Sequence, residues 1–536
     1  MLERPAMDLL DTKRPRALLV AFCLLVWLPG FFTLPPTDRD ESRFAQASKQ
    51  MLESGDYVRI MNGTEPRNRK PIGIYWLQVP FAAAAHGLHI ATGNPVWPYR
   101  IPSVLGGLIA VLATFEAGLA LTTRRTALLA AAMLAASVIL VAETHLAKTD
   151  AALLGATAVA MAVLARAHAR LPVGRGQAAV FWLAIGAGIL LKGPIAPMVA
   201  GLTALTLVCV ERQARWLLVL RPASGLPLLF AVIVPWFVAI GFATHGAFFT
   251  DAVGGDLGRK LAGGDDAHGA PPGLHLLLLP LLAFPATLPV IGSLPRWWRE
   301  RRLPAHRFLL SWIVPSWLVF EVVPTKLPHY TLPLYPAVFV LAAALIAQPA
   351  GWWTRRGSGW VTMAVTAVLA AGALALPLIT GAAPLLGVPA CVAVILVGWL
   401  ALRRDRPALG LVAMPFLTSA LLGFELPAAR PLWVAPAVAR SLRPGDTLAS
   451  VGFHEPSLMF LAGTTTVLAA TGLDGARALA RGDVTVVSVA IADRPSFLAE
   501  AARLGLTLDV QANIHGFNYS RGRRTDLAIM RGAPPP

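Results

Sequence analysis

The chain is poor in charge and in sulfur. Only 14% of its 536 residues are Asp, Glu, Lys or Arg, where soluble domains carry about 25%, and 56% are hydrophobic. A water-soluble enzyme is excluded. The three cysteines, Cys23, Cys209 and Cys391, each sit inside an apolar run, which excludes both a disulfide framework and a cysteine-held metal. Acidic residues are the scarcer sign, 29 against 46 Lys and Arg, for a net charge of +17. In a soluble chain that surplus would point to nucleic acid. Here most of it lies between apolar runs of membrane-spanning length, so nucleic acid is excluded as a partner and membrane lipid is the expected surrounding.

A span needs roughly 17 to 25 mostly apolar residues. Such runs lie near 17–34, 100–121, 125–142, 149–166, 178–192, 194–210, 226–243, 274–294, 308–323, 331–348, 359–380, 385–402 and 407–424. The run 178–210 is divided at Lys192-Gly193-Pro194, where Gly-Pro breaks a helix. The segment 74–91 is apolar but carries Gln78, Pro80, His86 and His89. If it lies in the interface, the remaining short loops separate cleanly: 22 basic residues between Arg4 and Arg406 fall on one side. The other side's short loops hold only Lys148, Lys192, Arg259, Lys260 and Lys326. The positive-inside rule then predicts a mainly α, polytopic protein of about 13 transmembrane helices, multi-pass in the bacterial inner membrane, N-terminus cytoplasmic and C-terminus periplasmic. Residues 1–427 form the membrane domain, with 35–99 a long extracytoplasmic loop. Residues 428–536, where TLASVGF, TVVSVAI and TDLAIMRG alternate with PSFLAEAARLG, form a small extracytoplasmic α/β domain.

This parity gathers the unusual polar residues at one membrane–water boundary. Asp38-Arg39-Asp40-Glu41-Ser42-Arg43 opens a short amphipathic helix with Phe44, Ala47, Met51 and Leu52 on one face. Asp40 and Glu41 offer a general base or a metal ligand, and Arg43, one turn on, can hold a carboxylate or bind phosphate. Equally, Asp38 and Asp40 can serve only to cap the helix. Arg67, Arg69 and Lys70 put three cations in four positions, suited to a phosphate or to lipid headgroups. Tyr75 and Trp76 suit an interface position. Asp150 starts a span, as a cap or as a functional acid. Lys192 is the sole charge between 178 and 210, and its Gly-Pro neighbours imply irregular backbone at a cavity, so it is read as an anion ligand. Pro324 to Tyr330 (PTKLPHY) fixes the chain while offering Lys326, His329 and Tyr330 as donors. His454 and Glu455 are read as structural, at a strand–helix junction.

Taken in order, DRDESRFAQASKQMLESGDY, RKPIGIYWL, RIPSVLGGL, LLKGP and TKLPHYTLPLYPA, from about 35 to 348, resemble bacterial glycosyltransferases of the aminoarabinose transferase type. These belong to the GT-C superfamily and are related to the polyprenyl-phosphate-mannose protein mannosyltransferases. GFHEPSLMFLAGT and GFNYSRG look like the C-terminal domain of the same group. The resemblance implies an inverting hexosyl- or pentosyltransferase that moves a sugar from a polyprenyl (undecaprenyl) phosphate to an envelope acceptor, lipid A, glycan or protein, at a periplasmic active site. It implies that Asp40, Glu41 and Asp150 are catalytic. Arg43, Lys70, Lys192, Arg259, Lys326 and Tyr330 would bind donor phosphate, and Arg69 and His329 would contact substrate. Relatives usually carry Glu before the K-P lysine; this chain has Arg69. No cofactor is therefore assigned, and whether a divalent metal binds is left open.

The alternative is a flippase or transporter of lipid-linked sugars. No internal repeat of the kind many transporters show is evident, and the polar residues cluster at one face rather than at the midplane. A purely structural or binding role would leave Lys192 and the outer cation clusters unused.

Overall fold

In the computed structural model, residues 13–37, 39–90, 93–258, 269–346, 356–403 and 408–533 are described. A helix or a broken pair of helices stands at each of the thirteen apolar runs. Among the described residues, seven are long and apolar enough to cross a membrane, or eight if the pair Arg124–Ala136 and Val138–Thr144, bent by 58°, is one span. The others are short, broken or flanked by charge. Pro15–Trp27 has 13 residues because Pro29 and Gly30 follow, the latter at φ 80°. The run 274–294 is two helices, Leu274–Leu282 and Thr287–Arg299. The division at Lys192 is real: one helix is Arg175–Lys192 and the next Ile195–Glu211.

The helices converge around one large apolar core that includes Trp27, Phe115, Leu134, Trp312 and Phe339. Two of them, Trp97–Leu121 and Asp150–His168, cross where both carry glycine. A Cβ at Gly106 would lie 2.6 Å from Ala151 O, and one at Gly155 2.6 Å from Gly106 O. Only glycine lets the two backbones approach this closely, and the crossing sets the depth of Asp150.

The Arg39–Ser54 helix differs from expectation. Phe44, Ala47 and Met51 are buried as its apolar face requires, but so are Gln46, Ser48 and Lys49. Its polar side is covered by the C-terminal region: Gln46 Nε2 donates to Thr464 Oγ1 at 2.8 Å and Lys49 Nζ to Phe460 O at 3.4 Å. The Gly73–Gly87 helix packs behind it. There Gln78 is buried, accepting from Ser48 Oγ at 2.6 Å and donating to Tyr99 O and Ala147 O, each at 3.2 Å. Tyr75, expected at an interface, is instead fully buried against Phe44, with ring centroids 5.5 Å apart. A small hairpin, β1 (Met61–Asn62) and β2 (Glu65–Pro66), links these helices.

The C-terminal region builds one mixed sheet from β3 (Leu448–Val451), β4 (Val467–Ala469), β5 (Val486–Ala490), β6 (Thr507–Asn518) and β7 (Arg523–Ala533), in the order β4-β3-β5-β7-β6. The first three are parallel, and β7 is antiparallel to both its neighbours. Helices such as Gly472–Ala480 and Arg494–Arg503 cover it, closing a core of Ala449, Val451, Val487, Val489 and Phe497.

Candidate active site

Helix ends bring the charges together. Asp150 opens its helix and Lys192 closes another, so each sits where the helix dipole favours its sign. They form an ion pair. Lys192 Nζ also lies 5.2 Å from the centroid of the Tyr330 ring, within cation–π range. His329, at the start of a third helix, has Nε2 3.6 Å from Asp150 Oδ1 and Nδ1 3.7 Å from Glu143 Oε1. Lys148 Nζ lies 3.3 Å from the same Glu143 oxygen. Glu143, Lys148, Asp150, Lys192 and His329 thus form one interlocked cluster.

Adjacent Asp40 and Glu41 take different places. Glu41 is fully buried and bound on every side. It accepts from Arg100 Nε at 2.7 Å and Nη2 at 3.0 Å, from Thr37 N at 2.8 Å and from Ala147 N at 2.9 Å. Arg100, equally buried, also donates to Leu34 O and Pro35 O. Grouped with the catalytic acids by resemblance, Glu41 faces away from solvent and ties the start of its helix to the turn before Asp150. Asp40 is half-exposed and bridged to Arg43 at 3.2 Å. Partial burial pushes its carboxyl up, but Arg67, then Arg43 and Lys148, outweigh this and hold it below the usual carboxylate range. Arg67 reaches it by folding back over the Phe44 ring, 4.9 Å from the centroid, with Nε 3.3 Å from Tyr75 Oη. Asn68 donates to Asp251 at 3.0 Å, and Arg69 and Lys70 line the cavity beyond.

That cavity has a volume of about 350 Å³. One end is lined by Arg69, Lys70, Asp150, Lys192, His329 and Tyr330, and the rest by apolar side chains, among them Phe237, Phe249, Val319 and Phe320. It is amphiphilic, fitting a ligand with an anionic head and a hydrocarbon tail. The apolar wall carries no signal in the sequence, since its residues are ordinary span residues.

Glu143, Asp150 and His329 each place a ligand atom within 4.8 Å of the other two, and Glu143 Oε2 has no hydrogen-bond partner among the described residues. A divalent metal nevertheless does not fit. The ammonium groups of Lys148 and Lys192 are already paired with the two carboxylates, leaving no net negative charge to hold a dication.

Two residues assigned to donor phosphate are placed otherwise. Lys326 is buried away from the cavity, donating to Ala270 O at 2.9 Å and Val323 O at 2.8 Å; the prolines around it turn the ammonium back onto its own backbone. Arg43 holds the Asp40 carboxylate rather than lining the cavity. Arg259 and Asp38 lie outside the described residues. Sequence reasoning did not assign roles to Lys148, Glu143 or Arg100, and it read Arg67 as a cation for phosphate or lipid headgroups, where the structure sets it to hold Asp40 ionised. Arg100 had a signal, a charge at the head of an apolar run. Lys148 stood as one of few basic residues in the short loops of its face.

The dolichyl-phosphate-mannose-protein mannosyltransferase family matches residues 18–248. Undecaprenyl phosphate-alpha-4-amino-4-deoxy-L-arabinose arabinosyl transferases from Pectobacterium carotovorum and Pseudomonas aeruginosa are each 29% identical, over 377 and 372 residues, which is 67% of this chain and 64% of each relative. The chain is thus matched to just under two thirds of the length of these relatives. The structure of ArnT from Cupriavidus metallidurans bound to undecaprenyl phosphate superimposes with a TM-score of 0.72 over 96% of this chain and 97% of that one, at 22% identity. In fold the chain is similar to ArnT, and in sequence it is similar to the aminoarabinose transferases and, over residues 18–248, to the protein mannosyltransferase family.

Proposed function

We propose that the protein is a membrane glycosyltransferase that moves a sugar from a polyprenyl phosphate to an envelope acceptor at the extracytoplasmic face of the bacterial inner membrane. The amphiphilic cavity lined by Lys70, Asp150 and Lys192 carries this reading. A polyprenyl phosphate sugar has one anionic phosphodiester between a sugar and a long hydrocarbon. Lys70 and Lys192 face the phosphate, the aromatic and aliphatic wall takes the first isoprene units, and the sugar lies toward Asp40 and Asp150. The names of the similar arabinosyl transferases, and the undecaprenyl phosphate bound in the similar structure, support the same donor class. Lipid A, another glycan and protein all fit as acceptors.

The reaction is a single displacement with inversion. The acceptor oxygen attacks the anomeric carbon, the bond from that carbon to the phosphate oxygen breaks, and the acceptor proton passes to Asp40. Arg67 and Arg43 keep Asp40 ionised and aimed. Phosphate leaves without protonation, so the acid partner of glycoside hydrolases is dispensable. Lys70 and Lys192 stabilise the second negative charge that the leaving group gains. Asp150, paired with Lys192, positions that ammonium. In this reading all thirteen runs cross or enter the membrane, with the N-terminus cytoplasmic.

Purified protein given a labelled polyprenyl phosphate sugar and envelope lipid extract should release polyprenyl phosphate only when acceptor is present. Asp40→Asn should lower that release by about 100-fold or more while inserting normally. Unchanged turnover by the variant would refute the role given to Asp40.

A further inference from the structure

A second cavity lies at the far end of two helices that wall the first. Ile195, at the start of the Ile195–Glu211 helix, and Val319, near the end of the Pro304–Val322 helix, line the candidate active site. Val210 and Arg307, at the other ends of the same helices, line an open groove of about 690 Å³. Trp297 and Trp298 of the Thr287–Arg299 helix close its third side. From Ile195 to Val210 the helix rises about 22 Å, so the groove lies toward the opposite end of the bundle. On the topology proposed above that end is cytoplasmic.

One end of the groove is cationic and the rest apolar. Arg301, Arg302 and Arg307 line it, and no carboxylate does among the described residues. Arg307 is engaged, with Nη1 donating to Glu211 Oε1 at 3.0 Å and Nη2 to Arg302 O at 2.9 Å. Arg301 stacks on Trp298, its Cζ 4.2 Å from the ring centroid, and Nη1 donates to Trp298 O at 2.7 Å; its other donors are open. Arg302 is exposed, and its side chain has no partner among the described residues. Nearby Glu300 is taken up by Arg296 at 2.6 Å and His306 at 2.9 Å. Glu3, Asp8, Asp11 and Asp405, which the topology puts on this face, lie outside the described residues. What selects an anion is therefore the groove's own wall, not a net charge. Beyond the arginines, Leu310, Val314 and Leu318 form one apolar stripe along their helix. From Arg307 to Leu318 it runs about 16 Å, close to the roughly 15 Å hydrocarbon half of a bilayer. The two tryptophans sit at the arginine end, as residues at headgroup level do.

We propose that this groove binds an anionic glycerophospholipid of the cytoplasmic leaflet. Arg301 and Arg302 hold its phosphodiester, and one acyl chain lies along Leu310, Val314 and Leu318. Basic pockets between membrane helices on this side take anionic headgroups, and the guanidinium fork matches two phosphate oxygens. A polyprenyl phosphate shares the chemistry, but its phosphate is assigned to the opposite face, between Lys70 and Lys192.

The test is lipid binding to the full-length protein in detergent, read by native mass spectrometry. Phosphatidylglycerol and phosphatidylcholine with the same acyl chains are titrated into the wild-type protein, into Arg301→Gln/Arg302→Gln, and into Arg124→Gln/Arg125→Gln, a control pair assigned to the same face. Phosphatidylglycerol should bind the wild-type protein at least about tenfold more tightly than phosphatidylcholine. That gap should close in Arg301→Gln/Arg302→Gln and persist in the control. Equal binding of the two lipids by the wild-type protein, a gap that survives in Arg301→Gln/Arg302→Gln, or the same loss in the control would each overturn the site. Displacement of bound phosphatidylglycerol by equimolar polyprenyl phosphate would overturn the choice of occupant. None of these readouts uses a sugar donor or an acceptor, so the transferase reading stands or falls separately.

Discussion

At the scale of single residues, neighbouring carboxylates do opposite work because of what surrounds them. Glu41 is sealed with Arg100, and removing one partner of a buried pair strands the other charge. Glu41→Ala should destabilise the protein by about 3–5 kcal/mol, read as a lower melting temperature in detergent; joint replacement of Glu41 and Arg100 by apolar residues should cost less. Asp40 is held below its ordinary value of about 3.9. A base is competent when ionised, so activity is lost only as pH falls through that depressed value, and kcat/KM should be insensitive to Asp40 from pH 6 to 8. Removing the largest compensating charge, in Arg67→Gln, leaves burial to push the carboxyl up, so the acid limb of the pH profile should move to higher pH. A limb that stays put would separate Arg67 from Asp40. The DE pair was visible in the sequence, but which member is sealed was not: that depends on Arg100, 59 positions away.

Among the elements, the apolar runs were legible because their length and loop charges follow from the bilayer. A helix stands at each of them. What a linear reading misses is how an element is covered. The Arg39–Ser54 helix reads as one-faced, yet both sides are buried, because the residues covering its polar face come from 456–464, some 400 positions later. In the C-terminal sheet, β3, β5 and β7 announced themselves as apolar runs. The partly exposed β6 did not, since most of its residues are not buried. The glycine crossing between Trp97–Leu121 and Asp150–His168 was likewise silent, as glycine spacing becomes meaningful only once the partner helix is known. Gly155→Leu should force the helices apart at a cost of roughly 1–3 kcal/mol and displace Asp150. The check is a lower melting temperature together with weaker binding of polyprenyl phosphate.

On the scale of the whole molecule, the C-terminal domain is latched onto the segment that carries Asp40. Glu455, buried between the two C-terminal motifs, accepts from Arg39 Nε at 3.0 Å and from Asn518 Nδ2 at 3.0 Å, and Tyr519 Oη lies 3.3 Å from Pro36 O. Arg39 directly precedes Asp40, so the latch fixes the start of the helix that carries the proposed base. Read as structural from sequence, Glu455 is structural for the site as well as for its own domain. Glu455→Ala should raise amide hydrogen exchange across 39–54 and lower kcat more than it raises KM, with partial recovery in Glu455→Gln; unchanged exchange would make the contact incidental.

In the proposed reaction a polyprenyl phosphate head lies between Lys70 and Lys192 with Asp40 facing its sugar. A cryo-electron microscopy map of the full-length protein with polyprenyl phosphate bound tests it most directly. Phosphate density is expected within hydrogen-bonding distance of Lys70 and Lys192, with the tail running past Phe237, Phe249, Val319 and Phe320. Phosphate density elsewhere in the protein, with this cavity empty, would contradict it.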